Sequence, residues 1–470
     1  ARDRLGIKPL FLAETAEGLA FASELKALLP LLPGKPRVNP SGLVQYLQNQ
    51  FATGRTTLIK GIERLLPGEA VIIEDGRVTA RHRYWSATRV EPIELDFEGA
   101  ARRFDELFEQ VISQHMRSDV SYGLFLSGGV DSSILLAMLS RLKDQPISTY
   151  SVGFPDSRLT DELPLAEGIA RRFNSRHSPF APTAEQLLYA LPDSIWAADE
   201  LMRDFASLPT LLLARHAARE QKVLFSGEGG DEVFAGYGRY RPGWLESRLK
   251  NLLHPGSGGF RTRGTVRGPW PSRLFGPELY QQRQAARAPF IEAWGETPAS
   301  WSDLTRRQYV DLVTALPDNL LVKADRMLMR YHAEGRVPFL DHRIVEFGLS
   351  LPDRLKVADR QGKWFLKRWA ERHLDRETLY GRKRGFYVPL RDWFGERELA
   401  RLQRSLPAQT GIRDWFRPEG VWQLLAADQK AGRISQTGFA LLQFALWHRL
   451  FIEGDGAPPP AQHPLDALEG

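Results

Sequence analysis

Apolar positions along the chain follow two rhythms. Near the start, Lys8-Pro9-Leu10-Phe11-Leu12 and Leu19-Ala20-Phe21-Ala22-Ser23-Glu24 flank Glu17-Gly18, which predicts a β-hairpin. Ala70 to Glu74 and Arg77 to Tyr84, turning at Asp75-Gly76, predict a second. A helical segment between them begins near Pro40-Ser41. From about residue 96 the rhythm becomes strand–helix alternation, which predicts a parallel α/β sheet. The expected strands are Tyr122–Leu126, Ile147–Phe154 and Val223–Phe225. The expected helices are Gly99–Met116, Ser132–Leu142, Pro164–Phe173 and Pro209–Glu220. Ile134, Leu135, Met138, Leu139 and Leu142 recur at helical spacing and give one buried face. The strand before them is short and mostly apolar, as in a sheet covered by helices on both faces. Leu316 to Met327 predicts a further helix, with a loop ending at Pro338. The segment from Glu453, rich in Gly and Pro, reads as disordered.

Ligands of parallel sheets sit outside the carboxyl ends of strands, and polar strings fall at three of those ends. Ser127-Gly128-Gly129-Val130-Asp131-Ser132-Ser133 joins the first strand to its helix. Glycines let the backbone approach an anion, and free N–H groups at a helix start favour negative charge. The string is therefore a phosphate cradle with a carboxylate built in. Alone, Ser-Gly-Gly would be an ordinary turn; the full string at a strand–helix junction is far more specific. No Gly-x-x-x-x-Gly-Lys-Ser/Thr string occurs, since Gly34-Lys35 precedes Pro36 and Gly362-Lys363 precedes Trp364. That argues against γ-phosphoryl transfer of the P-loop kind. Ser151-Val152-Gly153-Phe154 closes the second strand. After the third come Ser226-Gly227-Glu228-Gly229-Gly230-Asp231-Glu232 and then Phe234-Ala235-Gly236-Tyr237. Oxygen ligands suit Mg²⁺, and Asp131 and Asp231 are the candidate metal ligands.

Two further strings are less specific. Asp325, Arg326, Glu334 and Arg336 could equally form ion pairs inside a core. Arg382-Lys383-Arg384-Gly385-Phe386 could lay a lysine over phosphates or be a solvated basic turn.

The 470 residues suggest two or more domains. Cysteine is absent, which removes disulfides and thiolate chemistry, and the ten histidines show no metal-site spacing. No apolar run approaches a membrane span and no signal peptide is seen, so no membrane partner is expected and the expected compartment is the cytoplasm. A net charge of +6 reads as a mixed, solvated surface. There is no coherent basic domain, so no nucleic-acid partner is expected. The basic stretch Arg261 to Arg273 reads as a surface loop first and an anion patch second.

These strings, in this order, resemble the glutamine-hydrolysing asparagine synthetase family from Arg2 to about Leu450. Arg2-Asp3-Arg4-Leu5-Gly6-Ile7-Lys8-Pro9-Leu10, Phe21-Ala22-Ser23-Glu24-Leu25-Lys26-Ala27-Leu28, Gly61-Ile62 and Leu65-Leu66-Pro67-Gly68 look like the latter part of a class II glutamine amidotransferase domain. The resemblance implies an α/β PP-loop ATP pyrophosphatase with a helical C-terminal part, preceded by the C-terminal half of an α+β Ntn-type glutaminase domain. It divides the chain into residues 1–90, residues 96–452 and a disordered tail 453–470. That glutaminase uses an N-terminal cysteine, which this chain lacks, so glutamine hydrolysis is not expected of it as written. A fragment of a longer product is the simplest explanation, and a naturally truncated, ammonia-using enzyme is the other. A half-domain should also leave an apolar face of its hairpins exposed.

The resemblance implies ATP and Mg²⁺ as cofactors. Its substrates would be aspartate or another carboxylate, with ammonia or glutamine as nitrogen source. A homodimer is one open arrangement. Ser127, Gly128, Gly129, Asp131 and Ser132 would hold pyrophosphate, while Leu126 and Val152 would line the adenine pocket. Ser226, Gly227 and Glu228 would line the ribose and acyl-adenylate region. Asp131 and Asp231 would bind Mg²⁺. Lys383 would stabilise departing pyrophosphate, with Tyr237 and Glu334 near the reacting acyl group. Asp199-Glu200-Leu201-Met202-Arg203-Asp204 departs from the family pattern close to the expected amino-acid substrate, as do Gly335 and Phe386-Tyr387-Val388. These departures leave ATP handling intact and weaken the choice of aspartate over another carboxylate.

Overall fold

A computed structural model describes residues 1–154, 162–381, 388 and 394–469. The amino-terminal part forms the two expected hairpins. Strands β1 (Phe11–Thr15) and β2 (Gly18–Ala22) pair antiparallel, and β3 (Ile62–Arg64) joins the other edge of β1. Strands β4 (Glu69–Glu74) and β5 (Arg77–Arg83) form the second hairpin, with a bulge at Ile72/Ile73. Phe21, Ile72 and Ile73 stand exposed on these ribbons, as expected of the hairpins. The helix Pro40–Asn49 starts with Pro40 after the Asn39 cap, whose side chain accepts from the Ser41 N–H.

The main sheet is parallel and five-stranded, in the order β10-β9-β6-β7-β8. Its strands are β6 (Tyr122–Phe125), β7 (Ser148–Val152), β8 (Arg176–Phe180), β9 (Val223–Phe225) and β10 (Glu334–Arg336). The chain runs outward from β6 to β8 and then returns to lay β9 on the other side of β6. That reversal is a topological switch point, where a crevice opens at the carboxyl ends. The expected helices are present at Phe97–His115, Val130–Leu142, Leu163–Arg172 and Ser207–Ala217.

Two strands of this sheet escaped the sequence reading. Both lie at sheet edges and both are polar. β8 carries Pro179, and β10 is Glu-Gly-Arg where a loop was expected. Edge strands need no apolar run and tolerate Pro, so the hydrophobic pattern does not mark them. The stretch from Leu316 also differs. It begins with a wide, π-type turn Leu316–Leu320 and becomes α-helical only over Leu321–Met329.

Packing joins distant parts of the chain. Phe104 anchors the helix Phe97–His115, stacking on Phe108 and meeting Phe234, Phe347, Phe365 and Trp369. In a second core, Leu43, Leu47 and Ile62 of the amino-terminal part pack with Phe439 and Leu442 of the helix Gln436–His448. The tail corrects the expectation of disorder. Leu465 and Leu468 are buried, and Arg401 pairs with Asp466 and Glu469, both at 2.7 Å. Two leucines and two carboxylates suffice to dock it, and a reading by Gly and Pro content passes over them. Among the described residues, no helix is long and apolar enough to cross a membrane.

One buried cation sets a pH dependence. The Lys356 ammonium is buried and donates to Thr305 Oγ1 (2.8 Å) and to the Leu349 carbonyl (2.9 Å). Burial pushes it down from 10.5 to about 7 against the opposing charge of Asp353. Between those values the unfolded chain holds a proton that the folded chain lacks, so stability rises with pH. Differential scanning calorimetry should show the wild-type Tm gaining on that of Lys356→Met between about pH 7 and pH 10.5. Parallel curves would mean that Lys356 does not titrate in this way.

Candidate active site

Two loops meet at the switch point, one from β6 and one from its neighbour β9. In the first, Gly128 takes φ +67°, and Gly129 precedes the helix Val130–Leu142. Ser127 and Ser132 close the loop on itself: the Ser127 N–H donates to Ser132 Oγ at 3.2 Å, and the two hydroxyls lie 3.1 Å apart. Ser133 Oγ donates to the Gly129 carbonyl at 2.8 Å. Leu126 is fixed by its N–H to the Tyr150 carbonyl (2.9 Å), and its own carbonyl accepts from Ser151 Oγ. Val152 ends the adjacent strand β7.

The second loop leaves β9 with the Ser226 N–H donating to the Arg336 carbonyl at 2.9 Å. Its glycines are where the two loops touch. A Cβ on Gly227 would lie 2.9 Å from Asp131 Cβ, and one on Gly230 would lie 2.5 Å from Asp131 Oδ1. A side chain at either position would drive the loops apart. Asp131 of the first loop thus lies against Gly227 and Gly230 of the second, which brings the expected phosphate loop and the expected acidic loop together.

The centre of the crevice is a residue that the sequence reading passed over. The Lys363 ammonium bridges Asp131 and Asp231, at 2.8 Å from Asp231. It is buried. Burial works against its charge, but Asp131 and Asp231 prevail and hold it above the usual lysine value. Lys363 adopts φ +56° and leads directly into the helix Trp364–Ala370. The signal was visible as Gly362-Lys363, but without a following Ser or Thr it matched no phosphate-loop pattern.

Carboxylates crowd one side. Burial, together with Asp204, Asp231 and Asp131, raises Glu228 above its ordinary value against the pull of Lys323. Lys323 sits 3.1 Å from Asp204 and 3.7 Å from Glu228. Glu232 is buried and pushed up to about 7 by burial and by Asp231. Tyr237 bonds Glu232, and the Arg239 guanidinium lies 3.6 Å over its ring. Burial and the Glu232 and Asp231 charges raise the Tyr237 hydroxyl well above the ordinary value.

Three expected site features lie elsewhere. Glu334 opens β10 opposite Val223, at the amino end of the sheet, and pairs with Arg336 at 2.9 Å. Parallel pairing with β9 fixes it there, two residues before the carbonyl that receives Ser226, so it does not join the cluster. Asp199 and Glu200 face the amino-terminal part instead of the crevice. Asp199 accepts from Lys26 (2.8 Å) and the Leu25 N–H (2.7 Å), and Glu200 pairs with Arg64. Arg326 bonds the Ser23 carbonyl, and Asp325 pairs with Lys8 at 2.5 Å. These residues are ion pairs of a seam, the structural alternative weighed above. Lys383 lies outside the described residues.

A divalent cation fits the crevice by its donors. Asp131 and Asp231 offer carboxylate oxygens from two loops, and the Lys363 ammonium lies between them here. Among the described residues, no group of three or more potential ligands is assembled, so phosphate oxygens or water would complete the set.

Comparison with known proteins identifies the family. The asparagine synthase family matches residues 103–449, and a glutamine amidotransferase domain matches residues 1–85. A putative asparagine synthetase (glutamine-hydrolyzing) of Mycobacterium bovis is 32% identical over 97% of this chain and 75% of its own length. Asparagine synthetase (glutamine-hydrolyzing) 1 of Bacillus subtilis is 28% identical over 98% of this chain and 77% of its own length. The amidase chry2 of Gibberella zeae is 24% identical over 81% of this chain and 64% of its own length.

Lys363→Met removes the ammonium that bridges two carboxylates. It should cost about 3 kcal/mol of stability, as breaking a buried ion pair does. Adding Mg²⁺ should raise the Tm of the variant more than that of the wild type, because the ion takes the vacated charge position. Equal Mg²⁺ responses would show that Asp131 and Asp231 do not form a cation site.

Proposed function

We propose that this chain, which belongs to the asparagine synthase family, is an ATP-dependent ligase that adenylates a carboxylate and passes the acyl group to ammonia. Aspartate is the proposed substrate and asparagine the product, through an aspartyl-adenylate. The observation that carries the reading is the pair of glycine-lined loops joined by Lys363 at the switch point of a parallel sheet. Residues 96–452 would be an ATP pyrophosphatase of the PP-loop type. Residues 1–90 would belong to an Ntn-type glutamine amidotransferase domain, which normally supplies ammonia from glutamine.

In this reading the substrate carboxylate attacks the α-phosphorus of ATP, and pyrophosphate leaves. The loop Ser127 to Ser132 would hold the leaving pyrophosphate through its backbone N–H groups and hydroxyls. Leu126 and Val152 would flank the adenine, and Ser226, Gly227 and Glu228 the ribose and the adenylate. Asp131 and Asp231 would hold Mg²⁺, whose charge offsets that of the phosphates when bound. Lys363 would contribute a permanent positive charge beside them, and Lys383 a second over the departing pyrophosphate. Ammonia then attacks the acyl carbon, the bond to AMP breaks, and the amide loses a proton. Tyr237, bonded to Glu232, would stand near that acyl group.

A second reading is a related ligase acting on another carboxylate. It is favoured by Leu201-Met202-Arg203-Asp204, which follow Asp199-Glu200 and depart there from the family pattern. The similarity to the amidase chry2 is in keeping with it.

Incubation with Mg-ATP, aspartate and ammonium, with products identified by mass, tests both. AMP, pyrophosphate and asparagine are expected. AMP and pyrophosphate only with another carboxylate would move the assignment to the second reading, and ADP with phosphate would overturn the adenylation chemistry. Asp131→Ala should abolish pyrophosphate release. Lys383→Ala should slow adenylation more than it weakens ATP binding, and a pure loss of affinity would reduce Lys383 to a nucleotide contact.

A further inference from the structure

A pocket of about 370 Å³ opens away from the phosphate loops, where three parts of the chain meet. The end of the helix Pro40–Asn49 supplies Gln48 and Asn49, and a loop supplies Arg261, Arg263 and Arg267. Gln436, the first residue of the helix Gln436–His448, closes it. None of its lining residues belongs to the site described above. Pockets for small molecules are usually apolar with a few polar groups. Here Phe290 is the aromatic side chain among amides, guanidiniums and a hydroxyl, so the occupant must be strongly polar.

The charge lining the pocket is positive, and the nearby carboxylates are already used. Asp311 is reached by Arg239 at 2.7 Å and Arg261 at 2.6 Å. Glu246 pairs with Lys250 while also feeling the charge of Arg263, and Asp428 accepts from the Ser435 N–H and hydroxyl, both at 2.9 Å. Among the described residues, Arg263 and Arg267 make no ion pair within 4.0 Å, and both are exposed at the rim. Arg267 Nε spends its hydrogen bond on the Gly264 carbonyl at 2.5 Å.

Behind the wall lies a third guanidinium without a counter-ion. Arg203 is only 3% exposed. It donates to Thr265 Oγ1 at 2.6 Å and to the Gln436 carbonyl at 3.4 Å, and its backbone N–H donates to the Gln50 carbonyl at 2.8 Å. All three partners line the pocket. A buried guanidinium bonded only to neutral oxygens keeps its full positive field, and burying it so is costly unless an anion lies close. Burial holds it below the ordinary arginine value, against the influence of Tyr46, which is the expected response to that cost.

We propose that this pocket binds a small polyanion, a phosphate ester or a polycarboxylate, held by Arg263 and Arg267 over the buried Arg203. Planar, forked guanidiniums match carboxylate and phosphate oxygens equally well, so the shared chemistry is multiple anionic oxygens on a small molecule. The position makes the ligand an effector. Arg203 is followed by Asp204, which holds Lys323, and Lys323 faces Glu228 of the second phosphate loop. An anion that fixes Arg203 therefore stiffens one wall of the crevice, and through Gln48 to Gln50 it also ties down the amino-terminal part. The proposal stands on residues outside the ligase site and does not depend on the ligase reading.

Calorimetric titration of the full chain with inorganic phosphate and with citrate tests it, using wild type, Arg263→Ala/Arg267→Ala and Arg263→Glu. Phosphate that binds the Ser127 to Ser132 loop persists in all three proteins, so the pocket is read from what the substitutions remove. At least a tenfold loss of affinity for one anion is expected in both variants, with unchanged Tm in the absence of ligand. Tighter phosphate binding in the wild type would identify a phosphate ester, and tighter citrate binding a polycarboxylate. Superimposable titrations of wild type and variants with both anions would overturn the proposal, as would the absence of binding in the wild type.

Discussion

The architecture turns on a steric condition: two loops from adjacent parallel strands must approach until one packs its glycines on the aspartate of the other. Gly227 and Gly230 meet Asp131 at distances that no Cβ would allow. Only then can Asp131 and Asp231 share one ammonium, that of Lys363. The strand order supplies the rest. Because β9 returns beside β6, both loops leave from the same side of the same crevice. Two carboxylates this close repel each other, and the ammonium between them offsets that repulsion.

A second set of buried charges does different work. Arg64 bonds Glu200 and lies 3.4 Å from Asp318, while Thr53 Oγ1 donates to Asp318 at 2.6 Å. Asp199, fully buried, is shared by Lys26 and Arg326. Such networks contribute little net stability, because desolvation offsets attraction, but a misplaced partner leaves a bare charge in the interior. The seam therefore fixes where the amino-terminal part sits. It does so beside the helix Leu321–Met329, whose Lys323 reaches Glu228. One helix thus carries both a residue of the seam, Arg326, and a residue facing the crevice, Lys323.

The legible parts of the molecule were those where the chain repeats a local rule. Ser127 to Ser133 combines a strand end, two glycines and a helix start, so its string carries its own geometry. The hairpins at Glu17-Gly18 and Asp75-Gly76 are equally local. The edge strands β8 and β10 were not legible, because their backbones pair on one side only and need no apolar pattern. Lys363 was hidden for another reason: its partners lie 232 and 132 residues away in sequence, and nothing in Gly362-Lys363-Trp364 announces them. Glu334 shows the converse. A motif placed it near the chemistry, and strand pairing put it at the opposite end of the sheet.

Lys363 also has an evolutionary side. A left-handed backbone costs an L-residue about 1 kcal/mol, and a cation at a helix start opposes the helix dipole. On local grounds glycine would be the better residue at this position, and a serine or aspartate the better helix cap. Those local costs are outweighed by the ion pairs with Asp131 and Asp231, so a glycine or a serine at position 363 would relieve the backbone and leave two carboxylates facing each other. The lysine is therefore held in place by its two distant partners, and its loss would be expected only in a chain that had first lost one of the aspartates.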